Sequence, residues 1–413
     1  MNTRTFIASS LRLLALGSAL ALAACGGGGG SSSGGVAFVG STGSTGSSAG
    51  TGTLSVSMTD APACGFDHVF VTVQQVRVNG DSGADTSGSG WVDISVNPPQ
   101  RVDLLSLTNG VLATLGQTAL PAGTYQQIRL VLSANSSSTS ANSVVPTGGV
   151  ETALDTPSAV QTGIKIIRPF TVAPDTLTDL VLDFDACKSI VRRGNGTFGL
   201  KPVVTALPTV VSGSVTGVLT GAPGASVFAE RAGVVVKATV ADANGGFTLS
   251  PIEQSSTAGT VDVVIVPTAT NARATGIVRN VPVVAGSSTA VATSAAPIDL
   301  PASVFRRVSG SVSPLSAQST VRAFQVSGGL SYEIASTESA SDTGAYSLFL
   351  TQPALPAAAP MVGTYATPLP VALSADNSAA GKYTIQAMST TGAVSAKQVN
   401  VSGADQPGVN FSF

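Results

Sequence analysis

The 413-residue chain has only 10% charged residues, 20 basic against 22 acidic, for a net charge of −2. It therefore has no basic surplus for binding nucleic acid, and its length points to about two to four domains. Gly, Ser, Thr, Val and Ala dominate, and β-branched residues recur in short alternating runs between Gly, Pro, Asp and Asn. That texture predicts many short strands and an all-β class, with no amphipathic helix beyond the opening residues.

Residues 1–24 read as a secretion signal. Arg4 and Arg12 supply the positive start, and the apolar stretch Leu11 to Ala24 is too short for an ordinary membrane span, which takes about 20 residues. Leu22-Ala23-Ala24-Cys25 resembles the lipobox of bacterial lipoproteins. The resemblance implies cleavage before Cys25 and acylation of that cysteine, so that lipid carries the mature chain on a membrane. Two or more acyl chains give stable anchoring, at about 0.8 kcal/mol per buried methylene. Residues 25–52 are then the lipidated cysteine and a disordered Gly/Ser tether, whose roughly 27 free residues reach about 30 Å. Gly26 stands where many inner-membrane lipoproteins carry Asp, so the outer membrane is the expected location.

A head domain is expected over 53–207. Leu54, Val56 and Met58 alternate, as do Val69, Val71 and Val73, and Asp60-Ala61-Pro62 breaks the chain between the two runs. This reads as strand, loop, strand. Residues 80–90 form a polar loop, Trp91 to Val96 a strand, and Pro98-Pro99 interrupts pairing. A short helix or turn follows within 102–120. Tyr125, Ile128, Leu130 and Leu132 give a buried face with an irregularity near Gln127, and 133–148 reads as a Ser/Asn-rich loop. "GIKIIRPFTV", "LTDLVLDFDACKSIV" and "GTFGLKPVVTAL" complete the unit. "TDAP", "FDHVFVTVQQVRV", "VDLLSLTNG", "LPAGTYQQIRLVL", "LVLDFDACKSIV" and "LKPVV" appear in that order. In this the segment resembles the domain-of-unknown-function 4382 family of bacterial envelope proteins. The resemblance implies a β-sandwich head on a secreted or lipid-anchored protein and no reaction.

Beyond residue 208 the chain repeats itself. "VSGSV" at Val211 returns at Val308, and the Asp-turn-aromatic phrase "DANGGFTL" at Asp242 returns as "DTGAYSL" at Asp342, offsets of 97 and 100 residues. Such a tandem repeat predicts two modules, 208–302 and 303–413. They resemble the carboxypeptidase-regulatory-like and transthyretin-like β-sandwich modules of envelope proteins. In each, Asp and Gly make a hairpin turn and the aromatic and Leu that follow enter the core. The Pro-rich, uncharged insertion 351–370 reads as a surface loop.

Candidate chemistry is sparse. With Cys25 assigned to lipid, Cys64 and Cys187 remain. In an oxidising envelope they are expected to pair across about 120 residues, worth roughly 5 kcal/mol in the chain-entropy model; the alternative is two buried thiols. The single histidine, His68, has no nucleophile signature near it and reads as a strand-edge residue. Asp183 and Asp185 fall on one strand face, and the expected disulfide would bring Asp60 and Asp67 near them. Asp60, Asp183 and Asp185 are therefore the candidate metal ligands, an oxygen cluster of the kind Ca²⁺ uses. The alternatives are neutralisation by Lys188, Lys201 or an arginine, or capping of turn N–H groups. Carboxylates so close in sequence do not flank a sugar as a glycosidase requires. The expectation is a non-enzymatic envelope lipoprotein serving adhesion, binding or structure, without an organic cofactor. Its expected partners are a membrane through its lipid and an envelope protein or glycan; the competing reading is a small-ligand or Ca²⁺-binding protein with its site in the head.

Overall fold

The computed structural model describes residues 50–413 apart from 61–64, 138–139, 255–258 and 349–353. The signal, Cys25 and residues 26–49 of the expected tether lie outside the described residues, as does Cys64; the tether's last two residues, Thr51 and Gly52, instead open the first strand.

The head is built from β1 (Thr51–Asp60), β2 (Phe66–Asn79), β3 (Val92–Asp103), β4 (Ala113–Pro121), β5 (Gly123–Leu132), β6 (Ser143–Pro146), β7 (Thr152–Asp155), β8 (Ile164–Val172), β9 (Leu177–Phe184), β10 (Ile190–Arg192), β11 (Phe198–Leu200) and β12 (Val204–Pro208). Two short helices, α1 (Pro157–Gln161) and α2 (Ala186–Ser189), complete it. A four-stranded sheet ordered β12-β9-β1-β4 and an eight-stranded sheet running β10-β11-β7-β6-β2-β5-β8, with β3 beside β2, share one apolar core.

The period of two decides which residues enter that core. On β2, Val69, Val71 and Val73 are fully buried and so are Val76 and Val78, a change of phase. The ladder shifts register between Val73 and Gln75, so one extra residue turns the second pair of valines back inward. The irregularity expected near Gln127 is present too: β5 shifts register against β8 between Tyr125 and Gln127. Pro98-Pro99 falls in the gap where β3 leaves β2, between the partners Ser95 and Gln100. The stretch 133–148 departs from its reading as a loop, because it contains β6 and the fully buried Asn142 and Ser143. Asn142 satisfies local backbone, donating to the Ser133 carbonyl at 2.7 Å and accepting from the Thr72 N–H at 3.0 Å.

The repeat gives two units of like topology. The first holds β13 (Ser212–Val218), β14 (Ser226–Arg231), β15 (Val234–Val240), β16 (Gly246–Glu253), β17 (Thr260–Val266), β18 (Gly276–Pro282) and β19 (Ser288–Ala290). The second holds β20 (Phe305–Arg306), β21 (Ser309–Ser313), β22 (Thr320–Ser327), β23 (Leu330–Glu338), β24 (Ala345–Ser347), β25 (Leu355–Pro356), β26 (Met361–Thr364), β27 (Ser374–Ala375), β28 (Lys382–Met388), β29 (Val394–Asn400) and β30 (Phe411–Ser412). The triplet β16-β13-β19 matches β24-β21-β30, each with one parallel pair, and the meander β15-β14-β17-β18 matches β23-β22-β28-β29. The repeated turn explains itself physically. Gly245 and Gly344 both have positive φ, and a Cβ there would stand 2.0 Å from the Leu219 carbonyl oxygen and 2.1 Å from that of Val312. The side chains that follow, Phe247 and Leu249 in one copy and Tyr346 and Leu348 in the other, are buried.

The insertion corrects its reading as a surface loop. Within 351–370, Ala354, Leu355 and Ala357 are buried, and β26 pairs in parallel with β18 of the preceding unit. Met361, Tyr365, Leu369, Val371 and Leu373 pack on the first module's core. The reason is in β17, "TVDVVIV". Val261, Val263 and Ile265 face that core, while Val264 and Val266 face the core of the second module. A strand covered on both faces reads as an apolar run rather than an alternation.

Candidate functional site

β1 and β9 run parallel, with Thr59 opposite Asp183 and Asp60 opposite Phe184, so the three candidate carboxylates do converge at one end of the head. They do not share a face, however. β9 ends at Phe184, and Asp185 turns out of the strand to cap α2, accepting the Lys188 N–H at 3.0 Å and pairing with Lys188 Nζ at 3.1 Å. Asp183 instead meets Lys237 Nζ of β15 at 2.7 Å, and that lysine side chain is only 2% exposed. Asp60 is buried completely. One of its oxygens accepts the Ala186 N–H at 2.9 Å, and Oδ2 has no hydrogen-bond partner among the described residues. Burial first, then the charges of Asp185 and Asp183, push its carboxyl well above the ordinary range despite the Ala186 N–H. Burial likewise raises Asp183, opposed by Lys237.

Asp67 stays apart from this cluster, with its carboxylate accepting the Gly148 N–H at 3.3 Å. Among the described residues, no group of three or more His, Cys, Asp or Glu side chains is arranged to hold a metal ion. Cys187 lies in α2, within two residues of both Asp185 and the Asp60-bound Ala186. His68 sits half-exposed, its Nδ1 2.7 Å from Asp103 Oδ2 and its ring stacked on Phe70. Among the described residues, no hydroxyl or thiol bonds to it, so the pair lacks the nucleophile that triad chemistry needs.

The sequence already offered Lys188, which does pair with Asp185, but not the partner of Asp183, which comes from the first module. Lys237, Glu230 of β14, and Glu333 of β23 are all nearly inaccessible. Each is a charged residue at an inward position of an otherwise apolar strand ("VVVKATV", "SVFAER", "LSYEIAS"), and that is the available signal. Further polar stitches join head to modules. Asn109 donates its backbone N–H to Thr239 Oγ1 at 2.9 Å and its side-chain amide to the Val240 carbonyl at 2.8 Å, and it accepts the Thr248 N–H at 2.9 Å. Asp342 accepts the Gly194 N–H at 2.6 Å, and Lys201 pairs with Glu338 at 3.2 Å. A cavity of about 380 Å³ lies beside Cys187, where head residues Phe66, Phe198, Val150 and Arg192 face Thr337 and Glu338 of β23.

Residues 51–202 match the family described as "Domain of unknown function (DUF4382)". This upholds the resemblance read from the head and attaches no activity to it. No curated protein matches the chain. Among solved structures, the Bacillus anthracis TIE protein is similar at 12% identity over 88% of this chain and 51% of its own, with a TM-score of 0.16. The chain thus spans about half the length of that protein. The major pilin subunit BcpA of Bacillus cereus is similar at 12% identity over 88% of this chain and 99% of its own, with a TM-score of 0.14.

Proposed function

We propose that this chain is a non-enzymatic envelope lipoprotein, acylated at Cys25 and held by a Gly/Ser tether, whose β ectodomain serves as a rigid scaffold for adhesion or assembly. The observation that carries the reading is how the chemically capable side chains of the head are spent. Asp183 is committed to Lys237, Asp185 to Lys188 and Lys201 to Glu338, and two of these three pairs join the head to a module. A site built for turnover keeps its acids and bases open to a substrate. The outer membrane is the proposed address, by the Gly26 argument. A Cys64–Cys187 disulfide belongs to the same reading, supported by the bond from the Ala186 N–H, next to Cys187, to Asp60, four residues before Cys64. The modules are assigned to the carboxypeptidase-regulatory-like or transthyretin-like class on their repeated topology. The test is metabolic labelling with an alkynyl fatty acid followed by membrane fractionation. Wild type is expected to carry label and sediment with membranes, while Cys25→Ala loses both. Retention of label by the variant would refute the anchor.

The cavity beside Cys187 favours a second reading, a small-ligand receptor. Its aromatic pair, Phe66 and Phe198, gives an apolar floor and Arg192 a cation. Binding of 3-phenylpropionate, followed by saturation-transfer NMR and abolished in Arg192→Ala, would support it, and equal binding by both proteins would end it.

A further inference from the structure

Glu230 sits on β14 of the first module with its side chain turned toward the second. Its Oε2 accepts the backbone N–H of Glu333 on β23 at 3.1 Å, a bond that crosses the boundary between the two repeat units. Its other oxygen, Oε1, is buried and has no hydrogen-bond partner among the described residues. The residue is 1% exposed, so water does not solvate it.

The charged groups around it decide its state. Glu333 on β23, Asp262 on β17 and Lys188 on α2 face it most directly. Of these, two are acids, and the single base is already paired with Asp185. The other nearby cations are likewise committed, Arg322 of β22 to Glu333 at 3.8 Å and Lys237 of the adjoining β15 to Asp183 at 2.7 Å. An ionised Glu230 would thus be a buried anion with one hydrogen bond, no free counter-ion and two acidic neighbours. A carboxylate in that position is relieved either by taking up a proton or by separation of the surfaces that bury it.

We propose that the contact between β14 and β23 is a pH-sensitive latch, closed while Glu230 carries a proton and driven toward opening of the two modules as that proton is lost. Burial, outweighing the Glu333 N–H, raises the carboxyl from its ordinary range to about 9. The sign follows from proton counting. The closed form holds a proton that the opened form, with an ordinary carboxyl, releases. Closure is therefore unpenalised below the ordinary carboxyl range and weakens steadily as pH rises to about 9. One proton released per opening makes the opening equilibrium tenfold more favourable per pH unit across that window.

Hydrogen exchange of the Glu333 amide in the full chain, corrected for the intrinsic base-catalysed rate, tests this. In wild type the protection factor is expected to fall by about tenfold per unit from neutral pH, levelling off near 9. In Glu230→Gln, which keeps an acceptor for the amide and cannot ionise, the slope is expected to be shallower by about tenfold per unit. Equal slopes in the two proteins overturn the latch. Because the variant could misfold, the carbon-13 shift of the Glu230 carboxyl in wild type gives an independent reading: a midpoint near 9 supports the proposal, and one in the ordinary carboxyl range overturns it.

Discussion

Replacing Lys237 by Met isolates the ion pair that joins the head to the first module. Lys237 Nζ and Asp183 Oδ1 are 2.7 Å apart, with side-chain exposures of 2% and 18%. Removing one partner of a buried pair leaves the other desolvated and alone, at a cost of about 3–5 kcal/mol. Asp183 is partly accessible and its carboxyl is already raised by burial, so it escapes part of the penalty by taking a proton. We therefore expect about 3 kcal/mol near neutral pH, at the lower end of that range. The deficit should be larger at pH 8 than at pH 5, because acid neutralises the stranded carboxylate. Adding Asp183→Asn removes the stranded charge, and the double variant should regain about 2 kcal/mol. Urea unfolding followed by the single Trp, Trp91 in the head, gives the midpoints. A Lys237→Met cost under about 1 kcal/mol, or a double variant no more stable than the single, would refute the claim that this pair is buried and coupled.

Asp60→Asn keeps an acceptor for the Ala186 N–H and removes a carboxyl whose ionisation burial disfavours in the fold. The unfolded chain releases the carboxyl proton above the ordinary range of about 3.9, so wild-type stability declines as pH rises past it. The variant should decline less, equalling or exceeding wild type at pH 8 while differing little at pH 4, as read from thermal midpoints across pH. Gly245→Ala and Gly344→Ala should each cost more than about 1 kcal/mol, since both combine positive φ with a carbonyl at about 2 Å. Gly286→Ala, at φ +69° with nothing within 4 Å of the new Cβ, should cost less than either. Denaturant midpoints of the three variants rank them.

The head's strands were legible because Val, Ile and Leu recur at period two and Gly, Asn and Pro mark the turns. The bulge on β2 went unread, although the doubled Gln74-Gln75 between Val73 and Val76 breaks the alternation there. The repeat was legible for a similar reason, since a turn that only Gly can make leaves the same Asp-Gly-aromatic phrase in both copies. The insertion was misread because Pro and missing charge resemble a surface loop, whereas its Met361 and Leu369 are apolar for packing. The carboxylate cluster was found, but its geometry was not. Asp183 and Asp185 keep a common face only if the strand continues, and the turn of α2, with Lys188 three residues after Asp185, ends it. Asp183's partner could not be read from spacing at all, because Lys237 arrives from another module.

Those distant partners bear on how the ectodomain holds its shape. The sheet β15-β14-β17-β18 is sandwiched between two cores, and β26 adds to its edge, so the modules share apolar surface rather than touching at a point. Apolar burial supplies attraction but is not directional. Hydrogen bonds are directional, and here they cross from the head to the first module, Asp183 to Lys237, and from the first module to the second, Glu230 to the Glu333 amide. A rotation of one module slides Val264 and Val266 across other apolar side chains at modest cost, but it strands each of these polar groups in a dry interior at about 1–3 kcal/mol apiece. Burial thus holds the modules together, and the polar groups at the junction select the angle at which they meet.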